Sequence, residues 1–392
     1  MRLLERPSVE ELYRRAEALL PALRERAAEC TALGRLPEAT ERDFEAAGFF
    51  RILQPASHGG FEYSPKVVWD IVARLASACP SSAWSLSVVC VHNWEVGLML
   101  PRVADDIWGD DPTVRISSSY EPVAKAIAVD GGYRISGRWR FSSGCDLATW
   151  VVAGAMVENP VTGELQHHAM FVEPGAYRIV PDSWNVLGMR GTGSKDFIIE
   201  NAFVPEYRVH PMSDQYVLDG IASGRIRSDA YKYAFRATVS YCLSSVAIGI
   251  AEGALEDFRS SWASRIAGKG DAELRRDSRV KQRYAEAFAS IDAARLRFDR
   301  DWAEMDAYIE RGETIPLIRR ATYVWNSSYN ANSLAEAVAT LFRGSGARAI
   351  RDGDSMQGFL RDIFVLPNHT LLKEDQRGDD LGLIAFGGMV AL

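Results

Sequence analysis

Gly137-Arg-Trp-Arg-Phe-Ser-Ser-Gly-Cys-Asp146 reads as a strand that stops abruptly. Tyr133, Ile135, Trp139 and Phe141 alternate with Arg134, Ser136, Arg138 and Arg140. That period of two marks a sheet with one buried face. Ser142, Ser143 and Gly144 then end the strand. Small polar residues at a strand end leave hydroxyls and backbone amides free for a flat, polar-edged ligand. Taken alone they also fit a hairpin turn, because serine and glycine are ordinary turn residues.

Further short β-rich runs flank this strand: Val114 to Ser119, Ala124 to Val129, Trp150 to Val157, His168 to Val172, Tyr177 to Val180 and Phe197 to Val204. Gly, Pro, Asn and Asp punctuate them, which predicts an antiparallel barrel or sandwich. Both ends of the chain read as helical. Glu10 to Cys30 is amphipathic, Pro37 suits the first turn of a helix running to Ala47, and Lys66 to Ala78 follows Ser64-Pro65. Ser81 to Leu100 is apolar almost throughout, the pattern of a buried helix, with His92 inside it. After the strands, Tyr231 to Arg265, Ala272 to Glu310 and Ile315 to Phe342 read as long helices. The order predicts an α+β fold: an N-terminal helical domain over 1–112, a central antiparallel β-domain over 113–218 and a C-terminal helical bundle over 219–392.

Composition narrows the function classes. The 392 residues are 47% hydrophobic and 25% charged, enough for a large core. A net charge of −7 argues against a nucleic-acid footprint. The run of about 18 apolar residues that a transmembrane helix needs is not expected here. The N-terminus lacks the apolar run of a signal peptide. The five cysteines are odd in number and never fall in a Cys-x-x-Cys pair, which points to free thiols in a reducing cytoplasm. Gly344-Ser-Gly346-Ala-Arg-Ala349 matches a dinucleotide fingerprint by letter only, since no strand precedes it.

Four segments in order resemble the acyl-CoA dehydrogenase superfamily over nearly the full length. The first is Gly34-Arg-Leu-Pro37 with Glu45-Ala-Ala-Gly48 and Pro55-Ala-Ser-His58-Gly-Gly60. The second is the strand ending Phe141-Ser-Ser-Gly144. The third is Leu187-Gly-Met-Arg190-Gly-Thr192-Gly-Ser194 with Phe197 to Pro205, and the fourth is Arg361-Asp362 after Gly344-Ser-Gly346. The resemblance implies an N-terminal helical domain, a central antiparallel β-barrel and a C-terminal four-helix bundle, assembled as a homotetramer. The dehydrogenases carry a catalytic Glu shortly after the Arg-Asp pair. Here that distance leads to Val365-Leu-Pro-Asn368-His369-Thr370. His369 at this place is similar to the flavin-dependent monooxygenases of the same fold, the oxygenase components of two-component hydroxylases such as those acting on 4-hydroxyphenylacetate and on the phenolic ring of a seco-steroid.

That branch implies reduced flavin (FMNH2 or FADH2) supplied by a separate flavin reductase, oxygen held as a C4a-(hydro)peroxide of the flavin, and hydroxylation of an aromatic substrate. Three alternatives remain: an N- or S-oxygenase of an amino sugar or thioether, an acyl-CoA dehydrogenase or oxidase, and a degenerate, non-enzymatic relative that serves as a flavin reservoir or scaffold subunit. The resemblance assigns Trp139, Ser142, Ser143, Gly144, Arg190, Thr192 and Ser194 to flavin binding, with Ser143 favoured over Ser142 at flavin N5. It assigns His92, Ser118, Arg236 and His369 to the substrate. Histidine's ordinary pKa near 6.5 suits a base that activates a phenol, and His369 is the first choice for it, against a positioning donor. His167 and His168 read as a surface hairpin, and His58 and His210 as structural.

Overall fold

The computed structural model describes residues 6–266 and 278–390. The predicted helix start at Ala272 lies outside them. Helix α1 (Val9–Leu33) starts where the Ser8 hydroxyl accepts from Glu11 N and ends on Gly34 at φ 61°. Helix α2 (Glu38–Ala47) follows Pro37, and α3 (Pro65–Ala76) is capped by Ser64. Helix α4 (Pro80–Gly97) is buried on nearly all sides. Its sequence explains this, because Glu95 is its sole acidic or basic residue apart from His92. A short α5 (Pro101–Trp108), not foreseen from the sequence, leads into the strands.

Strands β1 (Ile116–Lys125), β2 (Ile127–Val129), β3 (Gly132–Ser142), β4 (Trp150–Glu158), β5 (Leu165–Val172), β6 (Tyr177–Val180), β7 (Lys195–Pro205) and β8 (Val209–Pro211) form two four-stranded sheets, β1-β4-β5-β8 and β2-β3-β7-β6. This corrects the expectation of a closed antiparallel barrel. The sheets are open, and β1 pairs with β4 in parallel, Ile116 facing Trp150. Strand β3 explains the parallel pair. The chain leaves β1 for the second sheet, reverses along β3, and re-enters the first sheet running as β1 did. Between the sheets Trp139 stacks on Phe197, ring centres 5.4 Å apart and 7° from parallel, and its indole donates to Gly154 O at 2.8 Å.

Helix α6 (Asp214–Ala222) bridges to the C-terminal helices: α7 (Phe235–Ile266), α8 (Ser278–Glu310), α9 (Leu317–Ser345), α10 (Ser355–Val365) and α11 (Glu374–Ala385). Helix α7 is long and apolar enough to cross a membrane, which the sequence reading did not anticipate. However, 89% of its most apolar window is buried inside this fold, so it serves as the core helix. It crosses α3 at Gly249, where a Cβ would lie 2.0 Å from Ala73 O and 2.7 Å from Ala76 Cβ. Gly249→Ala therefore forces two helices apart. A loss of about 1–3 kcal/mol is expected, as for overpacked cores, read as a lower urea midpoint at unchanged slope.

Candidate active site

The end of β3, the loop 187–194, the middle of α4 and the turn after α10 converge through Trp84, Ser143, Ser194 and His369, and through Gly188 against Arg361. A bulge in β3 shapes the candidate cleft between them. The pairing of β3 with β7 shifts register between Trp139 and Ser142, and Phe141 has φ 66°. That left-handed residue reverses the alternation. Phe141, expected inside, is 58% exposed. Ser142 turns inward, fully buried, and donates to Ser117 Oγ at 3.2 Å. Ser143 turns to the cleft. The structure thus removes two expected flavin contacts: Ser142 and Trp139 both face the interior between the sheets, because each lies on the inward phase of β3 on its own side of the bulge.

Ser143 joins a chain of hydroxyls. Its Oγ lies 2.9 Å from Trp84 Nε1 and 2.7 Å from Ser194 Oγ. Ser194 Oγ lies 2.7 Å from Thr192 Oγ1, which donates to Met189 O at 2.9 Å. The indole can only donate and the carbonyl can only accept. The protons therefore run one way, from Trp84 through Ser143, Ser194 and Thr192 to Met189. Ser143 accepts once and donates once, which leaves one lone pair unused. The loop that carries Thr192 and Ser194 is clamped to α10. Met189 N donates to Asp362 Oδ1 at 2.6 Å, and a Cβ on Gly188 would fall 2.0 Å from Arg361 O. Burial raises the Asp362 carboxyl to about 6.

Ser118 sits beside Ser143, joined to it by a backbone bridge. Two residues on and on the same strand face, the Tyr120 hydroxyl donates to Glu95 Oε2 at 2.6 Å. His92 Nδ1 lies 3.1 Å from that same Oε2 and 3.0 Å from the Tyr120 oxygen. His92 Nε2 is buried and has no hydrogen-bond partner among the described residues. The second carboxylate oxygen, Glu95 Oε1, lies 2.8 Å from His210 Nε2. Burial works to raise the Glu95 carboxyl, but hydrogen bonds from His210 and His92 outweigh it and hold the group down at about 2.

His369 follows the turn Leu366–Asn368, and its ring meets Trp84 edge-on at 5.9 Å. Its Nδ1 accepts from Leu371 N at 3.2 Å. The neutral imidazole consequently carries its proton on Nε2 and presents a donor. Crowding by surrounding protein pushes its pKa down to about 4. The residue is nevertheless exposed to solvent, and water there offsets part of that desolvation.

Other expected residues are placed differently. Gly144, at φ 71°, follows Ser143 and packs on Val89 of α4. Arg190 is exposed and donates from Nε to Val186 O within its own loop. The Arg236 guanidinium, half-buried, has no hydrogen bond or ion pair among the described residues, while its backbone N donates to Asp214. His168 bonds Gln166 O on its own strand, His58 pairs with Asp105, and the Cys145 thiol donates to Gly193 O. Trp84, Glu95 and Tyr120 were missed. The signal for Glu95 was present: a single acid three residues after His92, on the same face of an otherwise uncharged helix.

The chain is similar to known proteins along most of its length. Residues 241–374 match the model of the acyl-CoA dehydrogenase C-terminal domain family. The oxygenase subunit HsaA of a flavin-dependent monooxygenase from Rhodococcus jostii is 35% identical over 349 residues, covering 89% of this chain and 91% of that protein. The crystal structure of 3-HSA hydroxylase from Rhodococcus sp. RHA1 superposes with a TM-score of 0.91 at 34% identity, covering 97% of this chain and 98% of that one. The oxygenase component of p-hydroxyphenylacetate 3-hydroxylase from Acinetobacter baumannii is 26% identical over 379 residues, covering 95% and 88%. With an HsaA-like sequence along nearly its whole length and the matching fold, this chain belongs to the flavin-dependent monooxygenases of the acyl-CoA dehydrogenase fold, as an oxygenase subunit that works with flavin and dioxygen.

Proposed function

We propose that the cleft hydroxylates a phenolic ring with reduced flavin delivered by a separate reductase. The carrying observation is the buried, unpartnered His92 Nε2, set beside Ser118 and Tyr120 at one end of a cleft whose other end is the Ser143 hydroxyl chain. A buried nitrogen without a partner is costly, and a substrate hydroxyl would supply one.

The donor set fits a flavin. Ser143 keeps a free lone pair that suits the N–H a reduced flavin presents. The exposed ring of Phe141 offers a flat apolar wall, and Thr192 and Ser194 hold Ser143 in place. Flavin bound there would activate dioxygen. The chain's own groups do the rest. His92 accepts the phenol proton at Nε2, which enriches the ring carbon ortho to the oxygen. Ser118 borders the same end of the cleft, and His369, a donor through Nε2, orients the reacting group. Arg236 offers an unpaired cation to an anionic part of flavin or substrate. Three relatives are named for aromatic substrates, hydroxyphenylacetate, resorcinol and indole-3-acetate, which supports this substrate class. Exposed apolar side chains in the C-terminal region, Leu296 at 62% on α8 and Phe386 at 91% just after α11, support a homotetramer, and five free, buried cysteines support a cytoplasmic setting.

The test is an assay with FMNH2 or FADH2, oxygen, and a panel of phenols, indoles, amines and thioethers, read by mass of product. Phenols are expected to gain an ortho hydroxyl. Turnover confined to amines or thioethers contradicts the phenol reading.

A further inference from the structure

The proposed mechanism leaves the buried acid Glu95 without a role. Glu95 is fully enclosed, and its two oxygens are divided between two histidines. The proton positions follow from the partners. Tyr120 has one hydroxyl proton, and at 2.6 Å it donates that proton in a hydrogen bond to Glu95 Oε2. His92 Nδ1, facing the same carboxylate oxygen, therefore carries a proton as well. His92 Nε2 is left as a bare lone pair. On the other side, His210 Nδ1 lies 3.0 Å from Pro211 O and Nε2 lies 2.8 Å from Glu95 Oε1. Both neighbours only accept, so both His210 nitrogens are placed to donate, and a doubly protonated ring there would pair with the carboxylate. Its ring is boxed by Tyr216 at 4.9 Å, Phe235 at 5.9 Å and Phe171 at 6.2 Å, a setting that favours a buried cation.

We propose that Glu95 is the positioning residue for the reaction: it fixes His92 in the tautomer whose Nε2 accepts the substrate's phenolic proton, and its charge holds the imidazolium that results. This rests on the reading that His92 touches the substrate hydroxyl. The step is a single proton transfer. The phenol O–H bond breaks, the proton joins Nε2, the electron pair stays on the phenolate oxygen, and His92 becomes a cation against Glu95. The arrangement follows the carboxylate–histidine logic of hydrolytic triads, here with a second histidine balancing the carboxylate before substrate arrives. The titratable groups facing Glu95 are His92 on its own helix, Tyr120 on β1 and His210 on β8. Tyr216 on α6 and the Cys242 thiol on α7 lie behind them, felt respectively by Glu95 and by Tyr120.

Glu95→Gln tests this, because the amide can still accept from Tyr120 and His92 while donating to a neutral His210. Shape and tautomer persist and the charge is lost. For a phenol that is un-ionised at assay pH, kcat is expected to fall about 100-fold, within the range of acid–base contributions, with KM little changed. For a fluorinated phenol already ionised in solution the deficit should shrink below about tenfold, because no proton need be taken. In the anaerobic complex with reduced flavin, the bound un-ionised phenol should show a phenolate-like ultraviolet shift in the unaltered protein and none in the variant. Equal losses for both phenols, or no loss, overturn the role of Glu95. His92→Asn run in parallel separates the two layers: if it leaves un-ionised phenols unaffected, the underlying reading of His92 falls, and the Glu95 proposal with it. Should Glu95→Gln fail to fold, Glu95→Gln/His210→Asn removes both charges together and is read by the same two phenols.

Discussion

His92→Ala is expected to lower phenol hydroxylation by roughly 10²–10⁴-fold, the usual contribution of a positioned base, while the protein continues to consume reduced flavin and oxygen. The consumed oxygen should then appear as hydrogen peroxide. The reason lies in where the side chain sits. Its Nδ1 is committed to Glu95 and Tyr120, its Nε2 is buried without a partner among the described residues, and the hydroxyl chain proposed to meet the flavin is built from other residues, Ser143, Ser194 and Thr192. Removing the ring therefore spares the oxygen-handling end and disables the substrate end. The measurement is the ratio of hydroxylated product to oxygen consumed. An unchanged ratio would move the base elsewhere. His369 is poorly suited to take its place, since its Nδ1 lone pair is occupied by Leu371 N and its remaining nitrogen is a donor.

Ser143→Ala carries the second large effect. It breaks the one-way chain from Trp84 to Met189 at Ser143 and leaves the indole N–H of Trp84, a buried residue, without its acceptor. An unsatisfied buried donor costs about 1–3 kcal/mol, so a lower melting temperature is expected. Loss of the hydrogen bond to reduced flavin, worth about 1.5 kcal/mol, corresponds to about a tenfold change in how tightly that flavin is held. Equilibrium binding of reduced flavin, measured anaerobically, reads this. Ser142→Ala is the control. It loses a bond to Ser117 inside the β-domain and should leave flavin binding unchanged. If the two variants exchange behaviour, the assignment of the β3 bulge is wrong.

Much of the fold was legible because it follows from periodicity. The amphipathic α1, the all-apolar α4 and the alternating β3 each announce their burial by pattern. What was not legible depends on single backbone choices and on contacts between distant segments. Alternation carried Phe141 into the core, and only the left-handed φ at that residue turns it out and puts Ser143, rather than Ser142, in the cleft. The parallel β1–β4 pair requires knowing that β3 belongs to the other sheet. At the site, residue types at the strand end and at positions 92 and 369 pointed to segments that the fold brings close to one another, with Ser143 and His369 both against Trp84. Their division of labour depends on hydrogen bonds from Leu371, Tyr120 and Glu95 that no spacing rule reveals. His210 read as structural from its neighbour Pro211, yet it lies 115 residues from Glu95 in sequence and 2.8 Å from it in space.

The most direct test of the central claim is a single turnover of the protein, preloaded with reduced flavin and an un-ionised phenol, under isotopically labelled dioxygen. The account predicts an ortho-hydroxylated product that carries one labelled oxygen atom. Recovery of all the label in hydrogen peroxide and water, with the phenol returned unchanged across the panel, would contradict it.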